Sequence, residues 1–455
     1  MRPSRLTILT IDGGAGLLAR RRRRRNAAAQ AASNVGRVPD TPRELDIILY
    51  GATGFAGKLT AQYLARAGGG ARIGLAGRSE ERLRRIRAEL GSVAHDWPLV
   101  VADADQPETL AAMARRTRVV ITTVGPYTRY GLPMVAACAE EGTDYVDLTG
   151  EAMFMRQSID LYHKQAADNG ARIVHACGFD SIPSDISVYA LYRAARDDGT
   201  GDLLDTHLVV RGFSGGASGG TLASMIEVLQ TAADDPEARR QLLDPHTLSS
   251  DRAAEPQLGP EPDLSWHRGR DIAPELNGIW TAGFAVAPVN TRVVRRSNGL
   301  LDWAYGRRFR YAEHMSVGSS AAAPVLSGLA TGMGKMTVGF GGQLLKLVPT
   351  GILEGVLPKP GTGPSRSRRE NGYYRLETYT TTSTGARYRA DMAQRGDPGY
   401  QATSVLLGES ALGLALDRDK LSDHYGVLTP AAAMGDVLLS RLPAAGVTLE
   451  VSRLR

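Results

Sequence analysis

The run Leu45-Asp-Ile-Ile-Leu-Tyr50, followed at once by Gly51-Ala-Thr-Gly54-Phe-Ala-Gly57, constrains this chain more than any other stretch. A short apolar run ending in glycine reads as a buried parallel strand. Glycines at that spacing, between a strand and a helix, read as a phosphate-binding turn. Gly51 permits the tight turn, Gly54 lets backbone approach a pyrophosphate, and Gly57 lets the helix pack close to the sheet. The free N–H groups and positive dipole end of the helix then face the phosphates. Thr53 and Phe55 belong to the same loop. The expectation is a dinucleotide site.

The pattern continues as alternating elements. Strands are expected over 45–50, 72–76, 98–102, 118–124, 145–148 and 172–176. Helices are expected over 57–67, 80–90, 132–141 and 153–167, the first ending at Gly68-Gly-Gly70 with a left-handed cap. Such alternation implies right-handed βαβ units and a Rossmann-type doubly wound parallel sheet, hence an α/β protein. Beyond Tyr192 the texture changes. Strands are expected over 206–213, 279–286, 292–296, 308–314, 374–382 and 386–392, with residues 235–275 a polar surface excursion and 403–416 a helix. This predicts a second α+β domain with a largely antiparallel sheet. The domain reading is a basic tail over 1–43, a nucleotide-binding domain over 44–192, a substrate domain over 193–400, and C-terminal helices over 401–455.

Composition narrows the function. The net charge of +6 is local: residues 1–40 hold nine of the 54 basic and two of the 48 acidic residues, leaving 45 and 46 elsewhere, a net of −1. The body is therefore neutral, lacks a basic stripe with interleaved aromatics, and is not expected to bind nucleic acid. The tail reads as a disordered basic arm, a start-codon artefact, or a targeting or membrane-surface segment. Two cysteines, Cys138 and Cys177, point to a reducing cytoplasm, and no metal site is expected. The segment 316–357 is dense in Gly and Ala, with no charge from Ser316 to Gly334. It reads either as helices packed on the second domain or as a surface meeting membrane or a long acyl chain.

Gly77-Arg78-Ser79 follows the second strand, where NAD-binding chains usually carry an acidic residue. A guanidinium forks onto a phosphate and a hydroxyl adds a bond, so NADP(H) is the expected cofactor. Asp103 is placed to meet the adenine or to cap the next helix. Gly125-Pro126-Tyr127 ends the fourth strand, beneath the nicotinamide side.

Taken together, Ile48 to Gly57, Ala76-Gly-Arg78, Thr123 to Tyr127, Tyr145-Val-Asp-Leu-Thr-Gly-Glu151 and Cys177-Gly-Phe-Asp-Ser-Ile-Pro-Ser-Asp185 resemble the saccharopine dehydrogenase-like superfamily. Ser218-Gly-Gly-Thr221, Arg295-Arg-Ser297, Gly361-Thr-Gly-Pro-Ser365, Gly396-Asp-Pro-Gly-Tyr400 and Glu409-Ser-Ala411 are similar to its actinobacterial trans-acting enoyl reductase branch. The resemblance implies C-terminal helices that return to the nucleotide-binding domain. It also implies NADPH-dependent reduction of a carbon–carbon double bond in a polyketide or fatty acyl intermediate of lipid biosynthesis. The expected partner is an acyl thioester, held on a carrier protein or polyketide synthase. A peripheral membrane contact and a homodimer remain open. So do an amino-acid or imine oxidoreductase and a non-catalytic nucleotide-binding partner of a lipid synthase.

Enoyl reduction needs a proton for the α-carbon. No Tyr-x-x-x-Lys pair occurs among the sixteen tyrosines. Tyr127, Asp180 and Ser181 are the chosen catalytic candidates, Tyr127 first among them, with Asp147, Glu151 and His175 on neighbouring loops. Each has a plainer reading: Asp180 and Ser181 as caps of a helix opening at Pro183, Asp147 and Glu151 as turn residues, His175 as core.

Overall fold

Six strands and the helices between them are built by residues 45–174. β1 (Leu45–Tyr50), β2 (Ile73–Gly77), β3 (Leu99–Val101), β4 (Thr117–Thr122), β5 (Asp144–Val146) and β6 (Arg172–Val174) all pair in parallel. Between them run α1 (Phe55–Ala67), α2 (Glu80–Leu90), α3 (Pro107–Arg116), α4 (Tyr127–Glu141) and α5 (Ala152–Asp168), and α6 (Ile182–Asp197) follows. β1 is apolar on both faces because both are covered. Ile47 and Leu49 enter one core, and Ile48 and Tyr50 enter another with Met134 and Phe154. The computed structural model describes residues 42–215, 228, 230–346 and 363–455. The expected basic tail up to residue 41, the Ser218–Thr221 motif, residues 347–357 of the apolar segment and Gly361-Thr362 lie outside them.

The second half forms a mixed, mostly antiparallel sheet. It contains β7 (Leu203–Ser214), β8 (His267–Arg268), β9 (Trp280–Gly283), β10 (Arg310–Gly318), β11 (Tyr373–Thr382) and β12 (Arg387–Arg395). β10 pairs with β7 in parallel; the other ladders are antiparallel. Residues 292–296 were expected as a strand but lie inside α7 (Ala287–Leu300). The Val293-Val294 pair suggested an extended run, yet both valines bury on a helix packed against β10. Its arginines serve a different purpose. Arg292 donates to the carbonyls of Leu242 and Asp244, and pairs with Asp263 at 2.9 Å. Arg295 reaches Pro245 and Glu261, and Arg296 reaches Leu248 and Ser250. The irregular excursion is thus held by three guanidinium forks rather than by a core of its own.

The apolar segment begins as the end of β10 and continues as α8 (Ala323–Lys346). The usual amphipathic order is inverted over its first half. Ser327 and Thr331 are buried, and Thr331 accepts from the Gly283 N–H, while Val325, Leu329, Met333 and Met336 are exposed. No described helix is long and apolar enough to cross a membrane.

The chain then turns back. α9 (Thr403–Leu416) is buried almost throughout and crosses β1, β4 and β5. β13 (Gly426–Leu428) pairs with β6, completing the order β13-β6-β5-β4-β1-β2-β3. α10 (Pro430–Ala444) packs on α6 and α9, and β14 (Thr448–Arg453) closes the second sheet beside β12. One apolar core runs from Ile47 through Leu406 and Leu407 to Tyr388 and Met392, joining both sheets.

Arg292→Met should cost about 3–5 kcal/mol, because it removes the fully buried partner of Asp263 and leaves the carbonyls of Leu242, Asp244 and Pro288 without their donor. Urea unfolding checks this; a loss under 1 kcal/mol would remove the anchoring role.

Candidate active site

In a parallel sheet the loops after each strand gather on one edge, and ligands bind there. Here that edge collects loops 51–55, 78–79, 102–106, 123–127, 147–151 and 175–181.

The turn after β1 is closed by contact. Gly51 has φ +88°, and a Cβ there would lie 2.7 Å from Thr123 Oγ1 and 2.9 Å from Val124 Cγ2. A Cβ on Gly57 would lie 2.1 Å from the Gly51 carbonyl oxygen. The Gly54 N–H donates to that same oxygen at 2.9 Å. Gly54 is the N-cap of α1 and carries no capping side chain. The first-turn amides of α1 therefore face the edge without an internal partner. These are the features a pyrophosphate cradle needs. Thr53 sits against the end of β2, 3.8 Å from where a Gly77 Cβ would stand.

Arg78 is exposed just past β2. Ser79 caps α2, its oxygen accepting from the Arg82 N–H at 3.3 Å, so its O–H remains able to donate. Asp103 does not cap α3; its Oδ1 accepts from the Asp105 N–H at 3.2 Å. Burial pushes the Tyr50 hydroxyl up to about 12, with Asp103 adding to the rise and Arg78 opposing it. Arg78 and Asp103 therefore act on one hydroxyl at this end of the edge.

At the other end, Gly125 is exposed and Pro126, joined to it by a cis peptide, is the N-cap of α4. Glu151 reaches across from the β5 loop to this helix terminus. Its carboxylate accepts from the N–H groups of Tyr127 and Thr128, at 3.0 and 2.7 Å, and from the Thr128 hydroxyl. Asp147 accepts four hydrogen bonds: from Tyr145, His175 and the N–H groups of Thr149 and Ala176. The last of these helps hold Ala176 at φ 60°, a left-handed conformation uncommon outside glycine. His175 also bonds Ser158 and is buried, so it is a core residue with a polar role.

The three catalytic candidates separate. Tyr127 is 5% exposed, stacks on Phe154 and donates its hydroxyl to the Thr122 carbonyl at 3.1 Å. Burial drives that hydroxyl well above its ordinary range, with Asp147 adding to the rise. Ser181 is fully buried, and its hydroxyl donates to Asn290 rather than capping the helix. The helix itself opens at Ile182, one residue before Pro183. Asp180 is half-buried, lies beside Gly150, and has no hydrogen bond among the described residues. Burial pushes its carboxyl up to about 6.

Sequence reading missed the polar chain behind Asp180. Asn290 accepts from Ser181 and donates to Glu313 at 3.0 Å, and Tyr311 donates to Glu313 at 2.8 Å. Burial raises the fully enclosed Glu313 carboxyl to about 7. A lone acidic residue within the strand Arg310–Gly318 was the available signal. Among the described residues no acidic, His or Cys cluster fits a metal.

This fold and phosphate turn define a dinucleotide-binding protein. Residues 47–174 match the family described as the saccharopine dehydrogenase NADP-binding domain. Yeast saccharopine dehydrogenase (L-Glu forming) shares the fold, with a TM-score of 0.50 at 12% identity over 90% of this chain and all of that one. A Mycobacterium bovis BCG protein, the trans-acting enoyl reductase, is 63% identical over 413 residues, 90% of this chain and 99% of its own. A Mycobacterium tuberculosis H37Rv protein whose trans-acting enoyl reductase name is provisional is 70% identical over 414 residues, 91% of this chain and 99% of its own. The chain belongs to the trans-acting enoyl reductase family, within the saccharopine dehydrogenase-like group.

Gly57→Ala drives a methyl into the Gly51 carbonyl. It should cost about 1–3 kcal/mol of stability and weaken nucleotide binding more than tenfold, as read by calorimetry. Unchanged binding would sink the cradle assignment.

Proposed function

We propose that the chain is an NADPH-dependent enoyl reductase that acts in trans on an acyl thioester carried by a separate synthase. The observation that carries this reading is near-full-length identity of 63–70% to proteins named for that activity. The glycine turn from Gly51 to Gly57, closed by contacts that admit no Cβ, supports it. In this reading the α1 amides and Gly54 hold the pyrophosphate. Arg78 and Ser79 hold the 2′-phosphate, Asp103 meets the adenine side, and Gly125-Pro126 backs the nicotinamide. Bound NADPH supplies the hydride that reduces the β-carbon.

The protein's own contribution is positioning and a proton. Asp180 is the donor we favour for the α-carbon. Its carboxyl is half-buried on the correct edge, free of hydrogen bonds among the described residues, and raised towards neutrality. Tyr127, buried and already donating, serves better as a wall of the nicotinamide side. Ser181 orients the Asp180 loop through Asn290. The exposed apolar face of α8 supports an acyl substrate or a membrane-side partner over a charged amino acid.

NADPH oxidation against enoyl thioesters of increasing chain length tests the reading. Turnover should rise with length; no turnover at any length would overturn it. Arg78→Ala should weaken NADPH far more than NADH, and equal losses would remove the 2′-phosphate role. A required acid with a carboxyl near 6 is protonated below that value and not above it. Turnover should therefore fall as pH rises through about 6. Asp180→Asn should lower kcat about 10²-fold or more and abolish that limb; an unchanged limb would move the donor elsewhere.

A further inference from the structure

Phe55 immediately follows the phosphate-loop glycine, and residues from the second half of the chain close over it. A Cβ on Gly363 would lie 2.4 Å from the Phe55 ring, so backbone passes directly against it. The Tyr400 ring stands edge-on to Phe55 at 4.5 Å. The Arg369 guanidinium lies over Phe55, 5.2 Å from the ring centroid. Two separate pieces of the second half thus meet at the N-terminus of α1.

Arg369 lacks the carboxylate partner that several arginines of its lobe have; among the described residues Arg296, Arg307 and Arg310 also lack one, but they bond carbonyls and a hydroxyl of other segments instead. Arg292, Arg295, Arg375 and Arg387 each pair with a carboxylate. Arg369 has no carboxylate within 4 Å among the described residues. Among the described residues its side chain makes one hydrogen bond, from Nη1 to the Pro364 carbonyl at 2.8 Å, and its buried Nε has no partner there. The short helix Arg366–Glu370 is fixed in place, because the Arg369 carbonyl accepts from the Asp397 N–H at 2.8 Å. Asp397 is fully buried. Burial raises its carboxyl and Arg369 opposes that rise without forming an ion pair. A guanidinium without an ion pair among the described residues therefore stands near a helix N-terminus that already favours negative charge.

We propose that Arg369, delivered by the second half of the chain, is a binding residue for the dinucleotide pyrophosphate. The inference rests on the nucleotide-binding reading above and adds to it. The α1 amides and the Arg369 fork would hold the phosphates together. Phe55 is the platform that holds the guanidinium there, and Gly363 is the residue that lets the segment come so near. Because both nicotinamide cofactors carry the pyrophosphate, Arg369 does not discriminate between them, whereas Arg78 does.

The test is binding of NADPH and NADH to the full chain, wild type against Arg369→Gln and Arg369→Lys, by calorimetry at rising salt. Arg369→Gln should weaken both nucleotides by a similar factor, about ten- to hundredfold at low salt. The difference from wild type should shrink as salt screens the lost attraction. Arg369→Lys should recover part of the affinity. A residue that merely wedged Phe55 in place would show a salt-independent loss that Lys does not rescue, which overturns the proposal. So would a loss confined to NADPH, or Arg369→Gln affinities within twofold of wild type. Wild-type protein that binds neither nucleotide would overturn the nucleotide-binding reading itself, and this assignment with it. Arg366→Ala, which removes a solvent-exposed pair with Glu370, is the control and should leave both affinities unchanged.

Discussion

Everything on the nucleotide side depends on how closely three backbones approach at Gly51. The turn after β1, the first turn of α1 and the end of β4 share a space where a single methyl does not fit. That contact sets the angle at which α1 leaves the sheet. It also fixes where its free amides point. Thr123 seals the turn from the neighbouring strand, its hydroxyl donating to the Gly51 carbonyl at 3.2 Å. A sheet that merely had the right strand order would not present those amides together.

Much of this was legible in the amino-acid order. Glycine spacing and apolar runs place β1, α1 and the following units within a few residues, because local geometry and burial point the same way there. The second half was harder. Thr291-Arg-Val-Val-Arg-Arg296 has the β-branched density of a strand, but its arginines satisfy distant carbonyls, which only a helix face can gather. The parallel pairing of β7 with β10 depends on a connection of about a hundred residues that no local pattern encodes. Site residues divide along the same line. Gly51, Gly54 and Gly57 are readable because backbone conformation demands glycine. Tyr127 and Ser181 carry the right chemistry in sequence, yet face inwards, and burial is a property of the whole fold.

Polar networks hold the excursion of the second lobe beside its apolar core. His246 shows this well. It lies between Glu255, 3.2 Å away, and Glu261, to which it hydrogen-bonds at 2.9 Å, and the two carboxylates raise it to about 9. Its folded value exceeds its unfolded one near 6.5, so its stabilisation is complete below about 6.5 and fades as pH rises through about 9. Arg295 pairs with the same Glu261, extending the network into α7. Such networks are sensitive to the loss of any one member, because a remaining buried charge has nowhere to go.

The late return of the chain has a consequence for how it must be made. α9 fills the core under β1, β4 and β5, and β13 and β14 close an edge of each sheet. During synthesis the first six strands leave the ribosome well before α9 does. Until then the part of their apolar face that α9 fills has no cover, and neither sheet has its final edge. The two halves therefore mature together and late, and the emerging nucleotide-binding half is the natural client of whatever shields apolar surface in the cell.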